Sequence, residues 1–115
     1  MKIYLAGPMT CYVDHNFPAF NYAAKVLRER GHEVVNPAEL VEDPTKPWEY
    51  YMRRDIPLLC ECEAIALLPG WARSRGAQLE DTIASALGMP TIMVSDYVAP
   101  IDQHNIHGKE EPVND

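Results

Sequence analysis

Residues 74–80 read SRGAQLE and come shortly after the apolar run AIALLPGW. The chain leaves that run through Pro69 and Gly70, then offers a serine, a glycine at Gly76 and a carboxylate at Glu80. A second carboxylate, Asp55, stands upstream, just ahead of Pro57. Two carboxylates at one site suit cleavage of a glycosidic bond: one serves as nucleophile or cation stabiliser and the other moves protons. Each residue also has a plain structural reading. Arg53 and Arg54 are at hand to pair with Asp55, a glutamate early in a helix is favoured by the helix dipole, and Ser74 suits an N-cap. Which reading holds depends on where the elements put these side chains.

The elements follow from hydrophobic spacing. KIYLAG (residues 2–7), HEVVNP, AIALLP and PTIMVS are short apolar runs bounded by Gly or Pro, the mark of buried strands. Between the first two, Phe20, Ala23, Ala24 and Leu27 recur at helical spacing opposite Lys25, Arg28 and Arg30, with Asn16 as the expected N-cap, Pro18 in the first turn and Gly31 as terminator. Residues 38–46 read as a polar loop. PWEYYMRRDIPLLCECE then reads as a second helix with a break or bend expected at 54–57, because Pro57 removes a hydrogen bond. A third helix is expected over 75–87, with Leu79, Ile83, Ala86 and Leu87 facing inward and Gly88 closing it. Continuously apolar strands alternating with helices predict a small doubly wound α/β fold, flavodoxin-like or Rossmann-like: a parallel sheet of four to five strands with helices on both faces. Ligands of such sheets sit beyond the carboxyl ends of the strands where the winding reverses. That brings together GPMT after the first strand, NP after the second and PGWARSRG after the third.

The 115 residues are enough for one core, with residues 1–97 as the domain and 98–115 as a polar tail. The net charge of −7, ten basic against seventeen acidic residues, argues against a polynucleotide partner. A small phosphorylated ligand stays open, since helix N-termini and loop amides hold anions without net positive charge. No apolar run is long enough to span a membrane, and the N-terminal residues lack a signal-peptide layout. Three cysteines, Cys11, Cys60 and Cys62, are expected as reduced thiols in a cytoplasmic protein. Neither they nor His104 and His107 of the tail have metal-ligand spacing, so no metal and no cofactor is expected.

The loop after the first strand, AGPMTC, lacks the glycines of a dinucleotide fingerprint, and neither a P-loop nor a G-x-S-x-G elbow is present. Taken together, KIYLAGPMT, NFPAFN, LRERGHEVVNPAE, YMRRDIPLLCECEAIALLPGW and SRGAQLEDTIASALGMP resemble the nucleoside 2-deoxyribosyltransferase superfamily over residues 2–94, and within it a branch of small uncharacterised phage and bacterial proteins. The most specific piece is [DS]-x-G-x-x-x-E, filled by Ser74, Gly76 and Glu80.

The resemblance implies that Glu80 attacks the anomeric carbon of a 2′-deoxynucleoside. It further implies that Asp55 positions sugar and base and assists proton transfer, and that the Tyr4 hydroxyl approaches Glu80. Gly7, Pro8 and Met9 would wall the pocket. Ser74 stands where true transferases carry an aspartate that holds the sugar 5′-hydroxyl; similar deoxynucleoside 5′-monophosphate N-glycosidases have a serine there, which favours a phosphorylated substrate because a carboxylate would repel phosphate. Arg73 and Arg75 are possible helpers. The basic side chain that those relatives place after the first strand has no counterpart in Thr10, Cys11 or Tyr12. Trp71 reads equally as a base-stacking residue and as packing. A homodimer or higher homo-oligomer is implied, with Trp48, Tyr50, Tyr51 and Trp71 as interface candidates. The alternative is a non-catalytic nucleotide-binding module that keeps the pocket without turnover.

Overall fold

The computed structural model describes residues 1–10, 12–41, 43 and 45–98. Cys11, His104, His107 and nearly all of the expected tail lie outside the described residues. Four strands, β1 (Lys2–Ala6), β2 (Glu33–Val35), β3 (Ala64–Leu67) and β4 (Thr91–Met93), alternate with three helices, α1 (Phe17–Glu29), α2 (Trp48–Cys60) and α3 (Arg75–Ala86). The sheet order is β2-β1-β3-β4 and every pairing is parallel. The chain winds from β1 to β2 in one direction and from β3 to β4 in the other, so the reversal falls between β1 and β3.

Strand alternation sorts the core into two layers. Ile3, Leu5, Ala64, Ala66 and Leu68 pack with Phe20, Ala23, Ala24 and Leu27 of α1 on one face. Tyr4, Ala6, Ile65 and Leu67 pack with Leu59 of α2 and Ala77 and Ala84 of α3 on the other. Full burial of a side chain such as Phe20 or Leu27 contributes about 1.5–3 kcal/mol, which makes the α1 stripe the driving force for that layer. Gly31 ends α1 with a φ of +94°, as its position predicts. No described helix is long and apolar enough to cross a membrane.

Four local expectations are corrected. Asn16 stands at the α1 N-cap position with φ +62° and makes no capping bond; its buried side chain donates to the Pro8 carbonyl instead. Within the expected loop 38–46, Pro37–Leu40 forms a short 3-10 turn begun by the Asn36 side chain, which accepts from the Ala38 amide. The α2 helix runs unbroken through Pro57: the missing amide leaves a single carbonyl, that of exposed Arg53, without its helical partner, and this does not stop the helix. On α3 the buried residues are Ala77, Glu80 and Ala84, whereas Ala86 and Leu87 are exposed. The fully buried stripe is thus two alanines around a carboxyl, while Ile83 packs against the same core half-buried, as expected.

Close approach also explains Gly7. A Cβ at this position would lie 2.7 Å from Leu68 Cβ, an atom fixed to the backbone. The loops leaving β1 and β3 touch there, with the Leu68 amide bonded to the Ala6 carbonyl at 2.9 Å. Gly7→Ala is expected to cost about 1–3 kcal/mol as overpacking strain, read as a lower urea midpoint at unchanged slope.

Candidate active site

The buried polar side chains among the described residues are Asn16, Asn36, Asp55 and Glu80. The two asparagines organise loops. Asn16 ties the segment before α1 to Pro8, and Asn36, directly after β2, accepts from Ala38 and donates to the Asn21 side-chain oxygen at 2.9 Å. The first tie stands on a strained backbone: Asp14, His15 and Asn16 all have positive φ, at roughly 1–2 kcal/mol per residue for a non-glycine side chain. The two carboxyl groups are of another kind, since neither has a loop to cap.

Glu80 is 6 % exposed. It lies on the face of α3 that packs against the sheet, and Tyr4 of β1 points to the same layer. The Tyr4 hydroxyl donates to Glu80 Oε2 in a buried hydrogen bond. Burial raises the Glu80 carboxyl to about 8, the anionic Asp55 adds to the rise, and the Tyr4 bond opposes it. Tyr4 itself is held well above its ordinary value, first by burial and then by the negative charges of Glu80 and Asp55. The three groups therefore feel one another as a single cluster, in a setting too dry to favour two adjacent anions.

Asp55 faces the cluster from α2 and is also buried. Burial raises its carboxyl as well, but Arg54 opposes the shift: its Nε donates to Asp55 Oδ1 at 2.7 Å. The salt-bridge reading of Asp55 thus holds, and the same carboxylate is felt by Tyr4 and Glu80. Both carboxyls are therefore pushed upward by burial, Glu80 to about 8 and Asp55 against the opposing pull of Arg54, so the two differ in the partner that holds each of them.

Other candidates take simpler positions. Ser74 caps α3, its Oγ accepting from the Ala77 amide at 3.2 Å, which leaves its hydroxyl hydrogen free to donate. Gly76 marks where α3 meets α2: a Cβ there would lie 3.3 Å from Met52 Sδ and 3.5 Å from Trp48 Nε1. Pro8 is buried at the rim, and Met9 packs against the α1-side core. Trp71 packs against the α2/α3-side core, and Arg75 stacks on the Trp48 ring at 3.7 Å. A groove of about 410 Å³ along α2, lined by Trp48, Met52, Arg53 and Ile56 among others, contains none of the expected site residues. Two contributors escaped sequence reasoning. Asn16 was expected only as a cap, and Tyr12, whose hydroxyl closes over Gly70 beside Arg73 Nη2, sits in an aperiodic loop. The sole signal for either was position after the first strand.

Because the folded-state carboxyl of Glu80 lies near 8, above its ordinary 4.5, its contribution to stability is full below about pH 4.5 and is lost as pH rises through about 8. Glu80→Gln removes the ionisation while keeping the shape. It is expected to raise the melting temperature by a few degrees at pH 9 and to leave it little changed at pH 5. A gain that is equal at both pH values would count against a protonated Glu80.

Among solved structures, the chain is similar to a 2-deoxyribosyltransferase from the psychrotolerant bacterium Bacillus psychrosaccharolyticus, with 21% identity and a TM-score of 0.64 over 96% of this chain and 93% of that one. At that identity the likeness carries the fold, an α/β sandwich on a parallel sheet. No curated protein sequence matches the chain. Residues 1–93 match the family described as "Domain of unknown function (DUF4406)". The match spans all four strands and all three α-helices, and the chain belongs to the DUF4406 family.

Proposed function

We propose that the protein cleaves the N-glycosidic bond of a 2′-deoxynucleoside or its 5′-monophosphate through a covalent deoxyribosyl ester on Glu80. The observation that carries this reading is the buried cluster of Tyr4, Glu80 and Asp55, two carboxyl groups held by separate elements, Glu80 bonded by Tyr4 and Asp55 by Arg54. The fold shared with a 2-deoxyribosyltransferase supports it.

The chemistry balances on one proton. A Glu80 oxygen forms the new bond to the anomeric carbon while the bond from that carbon to the base nitrogen breaks, its electron pair leaving with the base. The base takes up the proton that Glu80 gives up, and Asp55, adjacent and anionic, carries it across. Tyr4 keeps its hydrogen bond to the carboxyl oxygen that does not attack, which orients the other. Water then hydrolyses the ester and returns the proton to Glu80, or the N–H of a second base does so and a new nucleoside forms. Ser74 at the start of α3 favours a substrate with a 5′-phosphate, since its hydroxyl and the first amides of a 12-residue helix face an anion without a repelling carboxylate. The exposed Tyr50 and half-buried Tyr51 of α2 make that helix our candidate for the interface of a homo-oligomer.

The test is incubation with a panel of 2′-deoxynucleosides and their 5′-monophosphates, with and without added free base, read by chromatography. We expect free base from the monophosphates, and loss of at least about a thousandfold in rate for Glu80→Ala. Absence of product across the panel, with ligand still bound by Glu80→Ala, would overturn the reading and leave a nucleotide-binding module.

The active pair holds one proton between two carboxyls, so kcat/KM is expected to be bell-shaped in pH. Its alkaline limb belongs near 8, where the last proton leaves. Tyr4→Phe removes the bond that lowers Glu80 and is expected to move that limb to higher pH; an unmoved limb would separate Tyr4 from the chemistry.

A further inference from the structure

Arg54 makes more bonds than a surface ion pair needs. Its Nε donates to Asp55 Oδ1 at 2.7 Å and its Nη1 donates to the Leu40 carbonyl at 2.7 Å. Its guanidinium also lies 5.3 Å from the centre of the Tyr51 ring. The Tyr51 hydroxyl in turn donates to the carbonyl of Asp43. The side chain is thus fixed at both ends, one end on the carboxyl cluster and the other on the loop that leaves β2 at the rim. Neighbouring Arg53 is exposed and has none of these contacts among the described residues.

We propose that Arg54 is a positioning residue, which clamps Asp55 as the anionic member of the carboxyl pair and so leaves Glu80 as the member that holds and releases the proton. This rests on the reading of Asp55 and Glu80 as the acid–base pair. The ionisable groups around Asp55 are Arg54 on its own helix, Tyr4 from β1 and Glu80 from α3. Arg54 is the cation of the set; the others are acids that gain nothing from a second anion. Remove it, and burial and two neighbouring acids would push Asp55 toward the neutral form. The pair would then have two groups competing to keep a proton and none poised to accept one. Arg54 does not act on Glu80 directly: the charge felt there is that of Asp55. A lysine could supply the charge but not the fork that reaches Asp55 and Leu40 together.

The experiment is a carbon-13 NMR titration of the full chain with labelled Asp and Glu carboxyls, for the wild type, Arg54→Gln and Arg54→Lys. Arg54→Gln keeps an uncharged donor at the position of Nε, beside Asp55, and removes the charge. It is expected to raise the Asp55 midpoint by about one to three units, and the acid limb of kcat/KM should rise with it. Arg54→Lys should raise the midpoint less. Should Arg54→Gln prove unfolded, Arg54→Lys alone decides, because the proposal requires an upward shift there too. An Asp55 midpoint that stays in place overturns the clamp even if the wild type releases base. A midpoint that rises in a protein that turns over no substrate leaves the clamp standing and overturns the glycosidic reading.

Discussion

The hydrogen bond from Tyr4 to Glu80 is the constraint around which the sheet and α3 are arranged. A carboxyl that deep within an apolar layer is costly unless it is paired or neutral, and here it is both bonded and biased to keep its proton. Both partners must come from rigid elements for the bond to persist. Tyr4 is supplied by the strand at the centre of the winding, flanked on both sides by parallel neighbours. Glu80 is supplied by a helix whose other fully buried residues are Ala77 and Ala84, small enough to bring the carboxyl within reach of a tyrosine standing on the sheet. A bulkier stripe would lift the helix and break the pair.

The remaining polar groups at the carboxyl end of the sheet serve that arrangement from outside. Asn16 and Asn36 turn backbone carbonyls and amides of the loops into fixed points, and Arg28 binds both the Glu39 carboxylate and the Val34 carbonyl, locking the turn after β2 onto α1. Arg54 holds the last residue of the same turn, Leu40, by its carbonyl. Loop restraint and carboxyl electrostatics therefore meet in a single guanidinium. This coupling gives a physical reason for a charged side chain to be spent on a backbone carbonyl at the surface.

What was legible in the sequence was what periodicity and breakers encode. Val34, Leu5 and Ala66 lie in runs that can only be buried strands, and Phe20, Ala23, Ala24 and Leu27 mark the packed face of α1; a parallel sheet of four to five strands followed from these, whereas the order that puts the reversal between β1 and β3 did not. The inward face of α3 was misread because Leu87 looks more apolar than Ala84, yet distance to the sheet, which no local pattern records, favours the smaller residue. The break expected at Pro57 is absent because the carbonyl left without a partner belongs to exposed Arg53, which propensity does not record. Asn16 was taken for a cap because capping is the commonest use of such a residue, whereas its bond to Pro8 depends on a contact between loops. The pairing of Tyr4 with Glu80 came only from resemblance; nothing in residue spacing links positions so far apart in the chain.

The pattern that first drew attention, serine, glycine and glutamate in one helical turn and a half, has a packing meaning for each member. Ser74 sets the start of α3 by accepting from the Ala77 amide. Gly76 lies against α2, where an added Cβ would meet Met52 Sδ at 3.3 Å and Trp48 Nε1 at 3.5 Å, so a side chain there would crowd Met52. Glu80 can meet Tyr4 only if both conditions hold, because a shift in the helix start rotates the carboxyl off the sheet and a wider spacing withdraws it. The opening choice between a structural and a chemical account of these residues is therefore not a choice. The cap and the glycine are architecture whose product is the placement of one carboxyl, and the unusual affinity of that carboxyl for its proton is the consequence.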